Sequence, residues 1–409
     1  MDNTTYIYLK DLPAPVELRG CTELLAFFSE ILTFWPVELR KTKTSEIEPF
    51  FVISPDNSGY SVSSPYFDAP RSYRDAVNTL CALVAELAWE QLRNDASLLC
   101  IHAAAIEVRG RLVVIPNKRR AGKSTLTAAL AARGYRVFTD DFLPLGINEQ
   151  QQLCGISSGI APRLRLPLPA GFGEQNTRFV ENNAGPFNPQ YKYLKLGQNS
   201  LAGKNDMLPI GGIMVLNRDD DNPLLMSQPE TSDILRTLIT QNFAREMKSS
   251  GILRSLEFLV SHARCYELSY ANVDQALDLI DQTFLAWDTP VSTFETGVSM
   301  SDFGKAPLGT APRSSVNITD DTLLQHADGV TIRDMGKGKF LSDQNGMAIH
   351  QLNETSAAIW QVLKEPSNVA QIAEIFQQAF PDANPESMTS DIRKTVQKMA
   401  KAGLVQPPL

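Results

Sequence analysis

The sequence predicts an α/β protein built around a phosphate-binding strand–loop–helix unit. A small α+β unit precedes this core, and a module of strands followed by helices comes after it. Three observations carry the expectation. Residues 98–141 read strand, loop, helix, strand, the order of a βαβ core. The loop ends in Gly122-Lys123-Ser124 at the mouth of a helix. A stretch rich in Ser, Thr, Gly and Pro with no hydrophobic period, residues 287–315, then separates this core from residues 316–409, as a flexible linker does.

Composition bounds the function. With 409 residues, of which 43% are hydrophobic, the chain has material for two or three domains at roughly 150 residues each. Acidic residues outnumber basic ones by 46 to 38, for a net charge of −8, so no bulk positive field exists to hold nucleic acid or an anionic membrane. The five cysteines are scattered, never in CxxC spacing, and none pairs with any of the four histidines at a ligand spacing. A disulfide scaffold and a structural zinc are both disfavoured. The start, MDNTTYIYLKDL, lacks a basic segment followed by an apolar one, and no run of 18 apolar residues occurs, so a cytoplasmic location is expected.

Taken in order, residues 1–95 mix short alternating runs (Tyr6–Leu9, Phe50–Ile53, Tyr60–Val62) and close on Tyr73–Leu92, where Leu80, Leu83, Val84 and Leu87 fall at helical spacing. In the core, 96–286, strands are expected at residues 98–108, 111–116, 135–141, 210–216 and 265–268, with helical spacing over Ser232–Met247 and Val273–Phe284. In the last module, strands at Val330–Arg333, Lys339–Leu341 and Met347–Leu352 precede three helices. Asn353 is the expected N-cap of the first, Ser367 precedes the second, and Gly403 ends the third.

The strongest chemical signal is RLVVIPNKRRAGKSTL. A loop between strand and helix aims backbone N–H groups and a positive helix end at one spot, which suits phosphate. The loop comprises Asn117, Lys118, Arg119, Arg120, Ala121, Gly122, Lys123, Ser124 and Thr125. In this pattern Lys123 reaches the outer phosphates of ATP and the Ser124 hydroxyl ligates Mg²⁺. Asn117 replaces the first glycine of the motif and Arg120 stands where many such loops have another. One strand later, Asp140 and Asp141 follow the strand end, where ligands of open parallel sheets bind. One carboxylate can hold metal and the other can accept a hydroxyl proton.

The segment IHAAAIEVRGRLVVIPNKRRAGKSTLTAALAARGYRVFTDDFLPL, residues 101–145, resembles the catalytic core of HPr kinase/phosphorylase and of the related peptide serine kinases. The resemblance rests on a histidine at the start of the preceding strand, a loop ending GKS, a helix ending Arg-Gly, and a strand leading to Asp-Asp. It implies a P-loop kinase core of that type, with His102 beside the transferred phosphoryl group, Asp140 as base toward a serine hydroxyl, and Asp141 with Ser124 near the metal. GISSGIAPRLRLPLP occupies residues 155–169 in place of that family's glycine-rich phosphorolysis signature. Kinase action is therefore the expected chemistry, with Arg163 and Arg165 as candidates to stabilise the transferring phosphate.

Residues 320–406 are similar to PqqD-like peptide-recognition domains, through a strand ending Leu-Asn, then Thr-Ser-Ala-Ala-Ile-Trp, a helix with Val-Ala-Gln-Ile, and a close on Gly-Leu-Val. The resemblance implies a winged-helix-like domain that captures the leader of a precursor peptide as an added strand. The candidate edge is Met347–Leu352, with the Ile392/Val396 helix as groove floor. A DNA-reading winged helix shares the element order, but residues 316–409 hold eight Lys/Arg against eleven Asp/Glu, which disfavours phosphate-backbone binding. Together the two resemblances imply an ATP- and Mg²⁺-dependent kinase of a ribosomally made peptide. A nucleotide-switched peptide chaperone and a kinase of a folded phosphocarrier are the rivals, and a homo-oligomer stays open.

Overall fold

The computed structural model describes the chain except residues 1–3, 44–45, 96–98, 117–120, 244–246, 305–318, 344 and 409. Asn117, Lys118, Arg119 and Arg120 of the expected phosphate loop, and residues 305–315 of the expected linker, lie outside the described residues. The fold is mixed α/β and divides into two compact units. The first holds Met1–Pro229, Gln241–Ala244 and His262–Met300, and the second Glu230–Thr240, Arg245–Ser261 and Ser301–Leu409.

The first unit opens with a six-stranded sheet formed by β1 (Thr4–Leu9), β2 (Val16–Arg19), β3 (Val37–Arg40), β4 (Phe51–Asp56), β5 (Gly59–Ser63) and β6 (Arg71–Tyr73), in the order β3-β1-β2-β4-β5-β6. Two helices accompany it, α1 (Leu24–Ile31) and α2 (Ala76–Asn94). Asp75 caps α2 by accepting the Asn78 N–H at 2.9 Å, which fixes the helix start three residues after Tyr73.

A nine-stranded mixed sheet follows. It contains β7 (Leu99–Ile101), β8 (Ala104–Val108), β9 (Arg111–Ile115), β10 (Arg136–Thr139), β11 (Leu143–Ile147), β12 (Leu153–Ile156), a long β16 (Met207–Arg218), β17 (Leu225–Ser227) and β18 (Arg264–Tyr270). A separate small sheet has the order β13 (Arg163–Arg165), β15 (Tyr191–Leu194), β14 (Ala184–Phe187). Helices α3 (Lys123–Ala132), α4 (Glu174–Asn182) and α7 (Val273–Thr283) pack around the sheet. Residues 103–106 and 112–115 are fully buried, so each Val, Leu or Ile there contributes roughly 1.5–3 kcal/mol by leaving water. In α3, Leu126, Ala128, Ala129, Leu130 and Ala131 are all buried. The small alanines let the helix lie close to β8 and to α4 and α7 at once.

Two boundaries differ from the sequence expectation. The helix expected over Ser232–Met247 stops early, as α5 (Thr231–Gln241). The backbone beyond it turns to β7: His102 N–H donates to Gln241 O at 2.8 Å and Phe243 N–H to Cys100 O at 3.1 Å. A helix not anticipated, α6 (Ser249–His262), comes next. Part of the stretch expected as linker, 287–315, is also anchored in the first unit. Trp287 Nε1 donates to Val108 O at 3.0 Å, and Phe294 is buried with its N–H on Gln151 O at 2.8 Å. Isolated aromatic anchors leave no hydrophobic period to read.

In the second unit, β20 (Thr331–Met335), β21 (Gly338–Ser342) and β22 (Ile349–Leu352) form an antiparallel meander with β21 central, and β19 (Gln325–His326) pairs with β23 (Val405–Gln406). Helices α8 (Glu354–Val362), α9 (Val369–Ala379) and α10 (Pro385–Lys401) pack around Ile359, Trp360, Ile372, Phe376, Ile392 and Val396. Asn353, Asn368 and Asn384 cap them, accepting N–H bonds from Ser356, Gln371 and Ser387 at 2.8, 2.9 and 3.0 Å. Helix α6 joins this unit through polar ties. Arg333 Nε lies 2.7 Å from Glu257 Oε2, and Ser249 Oγ lies 2.9 Å from Ser342 Oγ.

Candidate functional site

Strand direction brings the site together. β9 runs parallel to β16 and β16 parallel to β18, while β8 is antiparallel to both β9 and β10. Strands β9, β10, β16 and β18 therefore all end at the same edge, although β10 is not a direct neighbour of β9. His102, just before β8, reaches that edge as well, because Ala104 sits opposite Ile115.

Helix α3 begins there. Its N-cap, Gly122, has φ +92° and makes no side-chain cap, a left-handed conformation that glycine adopts without strain. The Gly122 carbonyl accepts the Leu126 N–H at 2.9 Å, and the first-turn N–H groups are left for an anion. Lys123 is buried at 8% exposure. Burial lowers its pKa, and the charges of Asp141 and Asp140 act in the opposite direction.

The two carboxylates differ in environment. Asp140 is 8% exposed, and its Oδ2 accepts the Arg163 backbone N–H at 2.8 Å. Burial, and next the charge of Asp141, push its pKa up to about 6, against the Arg163 N–H bond, the Arg163 charge and a hydrogen bond from the Ser124 side chain. Asp141 Oδ1 lies 3.2 Å from His102 Nδ1, and its Oδ2 3.3 Å from Arg163 Nη2. Burial would raise the Asp141 pKa too, but the His102 bond and the charges of Arg163, His102 and Lys123 outweigh it and hold it low. One carboxylate thus has its proton affinity raised beside one whose proton affinity is held down.

These groups surround a cavity of about 590 Å³ lined by His102, Ala121, Gly122, Lys123, Ser124, Thr125, Asp140, Asp141, Arg163, Arg165, Leu166, Pro167, Pro169, Tyr191 and Arg218. Every described residue expected around the phosphate loop is among them. Tyr191 holds the two arginines of β13, with the Arg163 and Arg165 guanidinium carbons 4.8 and 5.7 Å from its ring centre. Sequence reading missed Tyr191 and Arg218, and it also set residues 1–95 apart from the site. Helix α2 in fact places Cys81 Sγ 3.3 Å from Tyr193 Oη, and Val84 lines the space behind Asp140 and Asp141. No local motif marks these positions. For Arg218 the available signal was its place at the end of a buried strand.

Residues 339–405 match the family model of coenzyme PQQ synthesis protein D (PqqD). The chain carries a C-terminal PqqD domain. Within it, β22 forms an edge of its sheet, paired with β21 alone among the described residues. Ile392 and Val396 are 2% and 1% exposed, so their side chains belong to the core beneath the domain's surface and do not line an open groove as expected. Their four-residue spacing places them on the inward stripe of α10. The structure of the Hpr(Ser) kinase/phosphatase from Coxiella burnetii matches with 16% identity and a TM-score of 0.23, covering 46% of this chain and 93% of its own. No curated protein matches the chain. Among the described residues no helix is long and apolar enough to cross a membrane.

Proposed function

We propose that this chain is an ATP-dependent kinase that phosphorylates a serine, or another hydroxyl, of a ribosomally made peptide held through its leader by the PqqD domain. The observation that carries this reading is the convergence of the α3 N-terminus, Lys123 and the unequal pair Asp140/Asp141 on one cavity. Phosphoryl transfer needs positioned charge more than covalent catalysis. Lys123 and the first-turn N–H groups would bind the donor phosphates, and Arg163, held against Asp141, would face charge developing on the transferring group. Asp140, with its pKa near 6, would accept the proton of the acceptor hydroxyl.

A Mg²⁺ ion fits the donor set, because Mg²⁺ is commonly bound through one or two carboxylates plus substrate phosphates. No group of three or more His, Cys, Asp or Glu side chains suited to a metal occurs among the described residues, so the donor phosphates would complete the shell. Ser124 and Asp141 would hold the ion, which would neutralise phosphate charge when bound; the Ser124 side chain would then release Asp140. On the peptide side, the β22 edge offers backbone groups to an added strand.

Mass spectrometry of a candidate precursor peptide incubated with the full chain and Mg·ATP tests the reading. One added phosphate group is expected. A protein that binds both peptide and ATP yet never yields that product would be a nucleotide-switched chaperone instead.

A further inference from the structure

Two polar side chains beside Gly122, Tyr270 and the cavity-lining Arg218, have been given no role so far. Tyr270, the last residue of β18, is 1% exposed, and its hydroxyl has no hydrogen-bond partner among the described residues. Arg218, the last residue of β16, buries an Nε that is also without a partner, and its Nη2 has the almost fully exposed Asp220 at 4.0 Å. Both groups reach Gly122: a Cβ placed on that glycine would lie 3.2 Å from Tyr270 Oη and 3.6 Å from Arg218 Cδ. Burial raises the Tyr270 pKa to about 12 against the charge of Arg218, so the phenol stays protonated and donates.

Leaving such groups unpaired in a folded core is unfavourable. A hydroxyl and a guanidinium side by side, both donors, are satisfied together by an anionic oxygen acceptor. Sheet order says which acceptor. Across the sheet the sequence of strands is β10, β8, β9, β16, with β18 beyond β16. Gly122, at the start of α3, therefore has Asp140 and Asp141 on one flank, and Arg218 and Tyr270 on the other. A donor whose terminal phosphate faces the carboxylates turns its inner phosphates toward the second flank.

Resting on the kinase reading, we propose that Arg218 and Tyr270 form a clamp for the non-transferred phosphates of the nucleotide donor, positioning it for transfer. The test is calorimetric titration of the full chain with Mg·ADP, which lacks the transferred phosphate, together with thermal unfolding of the free protein. Tyr270→Phe should weaken Mg·ADP binding by about tenfold or more, yet leave the melting temperature of the free protein unchanged or higher, because the hydroxyl it removes has no partner among the described residues. Arg218→Gln should weaken Mg·ADP at least as much. If wild type binds Mg·ADP, Lys123→Ala loses it, and both clamp variants bind as wild type does, the clamp is refuted and the kinase reading stands. A drop of several degrees in the Tyr270→Phe melting temperature would also refute the clamp, by revealing a structural role for the hydroxyl. If wild type fails to bind Mg·ADP at all, the kinase reading falls and takes the clamp with it.

Discussion

Replacing Asp140 with asparagine should make the protein more stable and nearly inactive at once. In the folded chain the Asp140 carboxyl, 8% exposed, has its pKa raised from 3.8 to about 6 by burial and by the charge of Asp141. At about 1.4 kcal/mol per pH unit, keeping this side chain ionised costs about 3 kcal/mol relative to the unfolded chain. The native state binds the proton more tightly, so the wild type loses this stability as pH rises from about 4 through 6, and the full cost is present by pH 8. The neutral amide of the variant would carry no such cost. Its oxygen still accepts the Arg163 N–H, whereas weaker bonds to a neutral acceptor return about 1 kcal/mol. The variant should therefore gain about 2 kcal/mol at pH 8 and little at pH 4. For a unit of this size that is roughly 4–8 °C in melting temperature. Phosphoryl transfer should meanwhile fall by about 10²–10⁴-fold, and the wild-type kcat/KM should show an acid limb near pH 6 that the variant lacks. Melts at pH 4 and pH 8 with a mass-spectrometric rate assay check both halves. An Asp140→Asn protein no more stable than wild type at pH 8 would refute the electrostatic argument, and full transfer activity would refute Asp140 as the base.

Three further outcomes are expected. Lys123→Ala should weaken Mg·ATP binding by roughly 10- to 150-fold, the equivalent of a charge-assisted contact of about 1.5–3 kcal/mol; unchanged affinity by calorimetry would remove the phosphate-loop assignment. Binding of a leader peptide should slow hydrogen exchange at Ile349–Leu352, the exposed edge strand, and leave the central strand Gly338–Ser342 little changed. Protection elsewhere in the PqqD domain without protection of this strand would rule out strand addition. Ile372→Ala, at a fully buried position of the C-terminal core, should destabilise the second unit by about 2–5 kcal/mol while Mg·ADP affinity holds, and parallel loss of nucleotide binding would show that the first unit depends on it.

Much of the chemistry was readable in the chain itself. Gly122-Lys123-Ser124 opening a helix and the Asp140-Asp141 pair after a strand are local patterns, and their local physics persists in the fold: a left-handed N-cap, a bare helix N-terminus and carboxylates at a strand end. The asparagine cap expected at Asn353 belongs to the same class, since a cap needs only its own helix. What tertiary structure decided lies between segments far apart in sequence. Only the reversed β8 between β9 and β10 shows that Asp140 and the start of α3 share an edge across an intervening strand, and only the His102 bond and the charges of Arg163, His102 and Lys123 gathered at Asp141 separate its proton affinity from that of Asp140. Arg218 and Tyr270, Tyr191, and Val84 from the N-terminal helix reach the site because sheet register and packing carry them there, and no spacing within their own segments encodes that arrival. Likewise Ile392 and Val396 look like groove residues in a helical repeat, but the core they fill is formed by α8 and α9, whose positions are set by contacts across the whole unit.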